Sequence, residues 1–395
     1  MTLASSKTIW TYQDIVEHLL DYYDVDREGR DLRRAKMAVQ NAYRDMPNHH
    51  RWSYYDRLLQ VSTEASQSTG TVVYDHTGGT YERQLTLTGA TWPNNAALGH
   101  VILSDTRYRI ATRESDTVVT LESDSNPGAD VSSTTYVYYR SLYDLGTTFR
   151  RASPVVEVGT SYLLSYNTPS DYLDGIIGNY QPSRPSFYTF RSDGAYMGGM
   201  SIEFGPPPSS ARTYDFMAEV SPRPLKVEKY AEGTIATTSG SATVTGTSTE
   251  FSDAHVGCVI RISDNGISEP TSLVGGIDPE PDGSDRPYQY QHIIKSVEST
   301  TSLTLESTVA GTLSGVKFVI SDPLDIEPGA MFTYFQRLCE FEFAHLIRDE
   351  GQMALYALVK DALIQAMGAD GRNKGMTSDG RRGYYSDLGD WAIIS

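Results

Sequence analysis

The residues able to do chemistry fall into a few short runs, and each run lacks a part that catalysis or ligation would need. Asp24-Val-Asp26-Arg-Glu28-Gly29 opens like a calcium-binding loop, with carboxylates on alternate residues before a glycine. Its twelfth position is Ala35, where such a loop needs a bidentate glutamate, and its eighth is Asp31, where an apolar residue belongs. A turn that caps the following helix is the better reading. Asp278-Pro-Glu280-Pro-Asp282-Gly283-Ser-Asp285 could chelate a hard cation in the same manner, but a solvated loop tip has the same composition. His49-His50 could hold a transition metal, yet no third ligand stands at a suitable spacing. With Trp52, Tyr54 and Tyr55 beside it, the pair reads as an aromatic junction between a helix and a strand. Nucleophile motifs of the Gly-x-Ser-x-Gly and Ser-x-x-Lys kinds are absent, as are the P-loop and the dinucleotide-binding glycine pattern. Two cysteines in unrelated surroundings, Cys258 and Cys339, make neither a disulfide framework nor a zinc site. The chain is therefore read as non-enzymatic, with no catalytic residue, no metal ligand set and no cofactor.

Two groups of charged residues suit binding instead. Arg30, Arg33 and Arg34, followed by Lys36, put positive charge along one helix of an acidic protein. They would meet DNA phosphates or, as the preferred partner, acidic patches of a neighbouring subunit; otherwise they form a solvated face. Near the C-terminus, Arg372, Lys374, Arg381 and Arg382 precede Tyr384, Tyr385 and Trp391. Basic residues followed by large aromatics fit an arm that orders on docking, the rings filling pockets and the arginines pairing with carboxylates.

The elements that must carry these residues are helical at both ends and β in the middle. Ile15, Val16, Leu19, Leu20 and Tyr23 predict a helix over 11–24. Leu32, Ala35, Val39, Tyr43 and Met46 predict a second over 28–46, stopped by Pro47. Met331, Phe335, Leu338, Phe341 and Ile347 predict a third, and Leu355, Leu358, Val359, Ala362 and Ala366 a fourth over 353–367, ended by Gly368 and Asp370-Gly371. Packing of these helices rests on Leu32, Val39, Tyr43, Phe335, Leu338 and Leu358. Between about 58 and 325, short alternating runs such as Thr71–Tyr74, Gln84–Thr88, His100–Leu103, Val118–Leu121 and Thr135–Tyr139 predict sandwich or barrel strands.

The β region repeats itself. Gly70-Thr-Val matches Gly233-Thr-Ile, and Thr86-Leu-Thr-Gly89 matches Thr243-Val-Thr-Gly246. The run Gly99-His-Val-Ile-Leu-Ser-Asp105 matches Gly257-Cys-Val-Ile-Arg-Ile-Ser-Asp264, and Val119-Thr-Leu-Glu-Ser123 matches Leu303-Thr-Leu-Glu-Ser307. A fifth pair is Tyr143-Asp-Leu145 with Leu324-Asp-Ile326. The expected organisation is α+β: a helical part over 1–57, one small β-domain over 65–145, a central β-body over 146–230, a second β-domain over 231–326, helices over 327–370 and an extended tail over 371–395. The two chain ends are expected to form one helical bundle, and the two β-domains to be homologous sandwiches or barrels.

In the middle stretch, Arg184-Pro-Ser-Phe-Tyr188, Asp193-Gly194, Met200-Ser-Ile-Glu-Phe204, Pro206-Pro-Pro208, Thr213-Tyr-Asp-Phe-Met-Ala-Glu-Val220 and Pro222-Arg-Pro224-Leu225 read as strand, turn, strand, proline corner, strand and proline exit. The run from Pro185 to Leu225 resembles tailed-phage head–tail adaptor proteins, which also begin and end with helical pairs around a β-rich body. The Gly- and Thr-rich segment from Gly233 to Phe251 resembles modules of phage neck and tail proteins. The resemblance implies a virion structural protein at the head–tail junction: a homo-oligomeric ring, typically of twelve subunits, below the portal protein and above a tail or stopper protein, with genomic DNA passing through its centre. The doubled β-module departs from the smallest adaptors. It leaves open another tail component, such as a stopper, a tube or hub subunit, or a receptor-binding appendage.

Composition agrees with that class. Fifty acidic against 33 basic residues give a net charge of −17, which repels nucleic acid in bulk and excludes a DNA-coating role, while suiting a channel wall along which DNA slides. No run approaches 18 apolar residues, so no membrane-spanning helix is expected, and the first ten residues lack the pattern of a secretory signal. Twenty-seven tyrosines against 11 phenylalanines suit surfaces that are buried against protein yet keep a polar tip.

Overall fold

Alternation of period two over the middle of the chain and of period 3.6 at its ends produces a mixed α+β protein. A computed structural model describes residues 9–373, apart from 153, 161, 177–180, 193–198, 265 and 271–287. Its helices are α1 (Tyr12–Tyr22), α2 (Gly29–His49), α3 (Pro169–Ile176), α4 (Ala330–Ile347) and α5 (Gln352–Asn373). Two compact units form: one spans Tyr55–Ser221, the other combines the residues before Tyr55 with those from Pro222 onward.

In the Tyr55–Ser221 unit, β1 (Asp56–Ser62) is followed by the first repeat: β2 (Thr71–Asp75), β3 (Gln84–Thr88), β4 (His100–Leu103), β5 (Thr106–Arg113), β6 (Val118–Leu121), β7 (Val131–Thr134) and β8 (Tyr136–Tyr139). These seven pair in the order β7-β2-β3-β6-β5-β4-β8. Strands β7 and β8 lie at opposite ends of that order, yet a single residue separates them in sequence. The sheet must therefore curl until its edges meet, which encloses Val72, Leu85, Trp92, Val101, Ile110 and Tyr138 in a small core. The central body adds β9 (Leu142–Asp144), β10 (Phe149–Ala152), β11 (Val156–Glu157), β12 (Ser165–Tyr166), β13 (Phe187–Arg191), β14 (Ser201–Gly205) and β15 (Thr213–Val220). One sheet runs β1-β15-β10 with β11 also on β15; the other runs β12-β13-β14-β9. Their inner faces meet over Val61, Tyr188, Ile202, Phe204, Tyr214 and Phe216. Phe204 and Tyr214 stack across the layers with centroids 4.7 Å apart.

In the other unit, the second repeat comprises β16 (Thr234–Thr237), β17 (Thr243–Thr247), β18 (Val259–Ile262), β19 (Tyr290–Ser299), β20 (Ser302–Leu305), β21 (Leu313–Val316) and β22 (Phe318–Ser321). Its order, β21-β16-β17-β20-β19-β18-β22, is the first repeat's order strand for strand. Detail repeats as well: Gly99 N–H donates to Ala96 O and Cys258 N–H to His255 O, each at 3.0 Å. The backbones of Gln67 and Tyr138 exchange both hydrogen bonds, and so do those of Tyr230 and Ile320. Helix α1 is capped by Thr11, whose backbone N–H donates to Asp14 at 2.8 Å while its hydroxyl accepts from Asp14 N–H. Tyr43 of α2 meets Phe335 of α4 edge-on at 5.9 Å, and the Tyr23 hydroxyl after α1 donates to Glu340 O of α4 at 3.0 Å.

The structure corrects several expectations. Pro47 does not stop α2, which runs to His49. The donor that proline lacks falls in the last turn, and the Trp52 indole N–H serves the Met46 carbonyl there at 3.1 Å. Gly368 does not end α5, because Asp370 in its last turn is buried and accepts from Ser53 N–H at 2.9 Å and pairs with His50 at 2.9 Å. Residues 371–373, assigned to the tail, are helical, and the N-terminal helical part ends before residue 56, where β1 begins. Helix α3 was not foreseen. The fifth repeat pair fails: Tyr143 lies in β9, which joins the body sheet, and Leu324–Ile326 form no strand. Leu358 is 47% exposed, not packed; the buried stripe of α5 is Leu355, Val359, Ala362 and Ala366.

Candidate interaction surfaces and a basic groove

Helix α2 carries its small and aromatic residues Ala35, Ala38, Val39, Ala42 and Tyr43 inward, with Leu32 half-buried at its start. That arrangement leaves Arg30 and Arg33 exposed, while Arg34 pairs with Asp31 at 3.2 Å and Lys36 with Glu228 at 2.9 Å. Phe335 and Leu338 are buried on α4. Arg372 falls in the last turn of α5. Arg381, Arg382, Tyr384, Tyr385 and Trp391 lie outside the described residues, as does the acidic stretch 278–285. His49 is bonded to the Tyr334 hydroxyl at 2.5 Å, and burial lowers its pKa; His50 faces Asp370, so each ring has its own protein partner. Among the described residues no group of three or more His, Cys, Asp or Glu could hold a metal ion, and no helix is long and apolar enough to cross a membrane.

Buried charges do occur, each paired. Arg261 of β18 meets Asp14 of α1 through two contacts of 2.5 and 2.8 Å and donates to Ile9 O at 3.0 Å, with both side chains 3% exposed or less. Asp322 accepts from Lys226 N–H, Val227 N–H and Arg223 at 2.5, 2.6 and 2.8 Å. Burial and the Asp322 carboxylate push the adjacent Cys258 thiol up to about 12, so it stays protonated and unreactive. Glu157 receives Arg184 and Arg212; burial would raise its pKa, and the two guanidiniums outweigh that and hold it below the ordinary range.

Large apolar side chains stand outward on several elements, α5 and the β1–β15 pair among them. On α5, Met353 is 77% and Ile364 65% exposed, beside the outward Tyr356 and Leu358. Nothing among the described residues packs over these side chains. On the body, Leu58 of β1 lies opposite Met217 of β15 in the ladder, and both point to solvent.

A groove of about 290 Å³ lies in the Tyr55–Ser221 unit, where the first repeat, α3 and the body sheet converge. His100 of β4 and Arg107 and Arg109 of β5 form one wall, brought onto one face by the pairings His100↔Arg109 and Ile102↔Arg107. Leu173 and Ile176 of α3 form an apolar wall. Pro169 and Tyr172 of α3, Thr189 and Arg191 of β13 and Glu203 of β14 complete the lining, with Arg191 Nε donating to Glu203 at 2.6 Å. His100 stacks on Tyr139 at 5.5 Å; burial, reinforced by the three arginines, lowers its pKa to about 3, so the ring is neutral at physiological pH. The Nδ1 of His100 and the hydroxyl of fully buried Thr189 have no hydrogen-bond partner among the described residues.

The sequence reading missed this groove, although a signal for it exists in the repeat. By strand register, the second copy places Val259, Gln291 and Ile293 where the first places His100, Arg107 and Arg109. The module keeps its strand order without those three side chains. In the comparisons with known proteins, no family model, curated protein or solved structure matches the chain.

Proposed function

We propose that the chain is a structural subunit of a tailed-phage neck, assembling as an adaptor ring between portal and tail around a DNA channel. The observation that carries this reading is α5: its outward Met353, Tyr356, Leu358 and Ile364 are left uncovered by the described residues. A second copy is the occupant the reading commits to, because cyclic symmetry repeats one such contact around a closed ring and multiplies its effect. The helices of both chain ends, gathered in one unit as a bundle, are the framework from which this surface is presented. The net charge of −17 suits a wall that must not hold DNA, and the exposed Arg30 and Arg33 then serve subunit contacts. The basic and aromatic residues from Arg372 to Trp391 would dock on the portal or an adjacent subunit.

A receptor-binding appendage is the competing role for tandem β-modules, and it calls for aromatic clusters on the loop tips of both repeats. Tyr81 is exposed between β2 and β3, while the matching loop of the second repeat, 238–242, contains no aromatic residue. That asymmetry favours the ring. The test is Ile364→Glu, alone and with Met353→Glu, compared with wild type by negative-stain imaging and circular dichroism. Loss of ring particles with an unchanged spectrum is expected. Intact rings in the double variant would remove α5 as the interface.

A further inference from the structure

The groove between the first repeat, α3 and the body sheet has the make-up of a ligand site and is independent of ring assembly. Its volume stands at the small end of the range of roughly 300–1,000 Å³ usual for small-molecule sites. Its charge runs against the molecule: among the described residues lining it, Arg107, Arg109 and Arg191 face the single carboxylate of Glu203, in a chain of net charge −17. Glu203 is itself engaged by Arg191 and by the Ser141 hydroxyl at 3.1 Å. The Thr189 hydroxyl is wholly buried on the groove and has no hydrogen-bond partner among the described residues. A buried polar atom left unpaired is costly, and a bound ligand would relieve that cost. The internal comparison makes the same point, since a homologous module keeps its strand order with Val259, Gln291 and Ile293 in place of His100, Arg107 and Arg109.

From these features we infer that the groove binds a small organic carboxylate, its anionic end against Arg109 and the Thr189 hydroxyl and its body against Leu173 and Ile176. A guanidinium presents two parallel donors that match the two oxygens of a carboxylate, and the apolar wall of α3 disfavours a bare, fully hydrated anion. Arg109 is exposed and has no ion-pair partner among the described residues, so it can turn toward the ligand. Neutral His100 offers a donor or acceptor beside it without adding charge.

The experiment is calorimetric titration of the full chain with benzoate and with glucuronate. Benzyl alcohol and glucose serve as the neutral counterparts, and inorganic phosphate as the competing anion. Binding of at least one carboxylate, with its neutral counterpart and phosphate silent, is expected. Arg109→Gln should weaken it by about tenfold to a hundredfold, the usual effect of losing a charged hydrogen bond. Thr189→Val should also weaken it while leaving the urea midpoint of unfolding unchanged or raised, because the hydroxyl makes no bond to the described residues. No binding of either acid up to millimolar concentration, preference for phosphate, or binding that ignores both substitutions would overturn the assignment.

Discussion

Arg261 shows what one residue can decide. The second repeat places it where the first has Ile102, and its guanidinium reaches the carboxylate of Asp14, 247 positions away in sequence. The neighbouring strand β22 and the residues after it make further bonds to α1 and the residues before it: Tyr12 N–H to Asp322 O at 2.8 Å, Leu324 N–H to Trp10 O at 2.9 Å and Gln13 N–H to the Ser321 hydroxyl at 3.1 Å. Removing one member of a buried pair strands the other charge, so Asp14→Ala should destabilise this unit by about 3–5 kcal/mol in urea unfolding. The double change Asp14→Leu with Arg261→Met should recover most of that, since an apolar pair of similar volume avoids the desolvation cost. A double variant as unstable as the single would mean that the hydrogen bonds to Thr11 and Ile9, rather than the stranded charge, dominate. Sequence alone shows a charged residue interrupting a strand pattern; the partner is set by tertiary contact and leaves no local trace.

At the scale of elements, the two repeats were legible because alternation and turn glycines are local signals, and all five quoted strand runs lie within a residue of the observed strands. Helix α3 was not legible: eight residues that open Pro-Ser-Asp and include Gly175 carry the marks of a turn. The end of α5 was misread because Asp370 anchors a turn that Gly368 alone would have weakened. The repeats also show how one module accommodates different packing. A Cβ at Gly99 would overlap the Tyr138 ring, whereas the second copy has Cys258 and Ile320 at the matching places. Gly99→Ala should therefore destabilise the first repeat by about 1–3 kcal/mol through overpacking. Adding Tyr138→Ile should restore part of the loss, as read by thermal denaturation. If Gly99→Ala is neutral, the close approach of ring and backbone is not what fixes glycine there.

For the whole molecule, the same face of each repeat carries what is particular to it. In the second copy that face holds Arg261 and ties the module to the helices of its unit; in the first it holds His100, Arg107 and Arg109 and lines the groove. One strand order thus carries two different faces, and the differences between the copies mark the positions on which the proposed ligand site rests. Net acidity and tyrosine content pointed to a protein that works through contact surfaces. Neither could locate the outward face of α5, because exposure depends on which side of the helix its neighbours occupy. On the proposed reading, this chain works as identical copies closed into a ring. The most direct test of that reading is the mass of the native species by sedimentation equilibrium, alone and mixed with a portal protein. A closed assembly several times the 43.7 kDa of one chain, twelvefold on the adaptor pattern, is the predicted result. A single chain of that mass at every concentration, with and without portal, would contradict it.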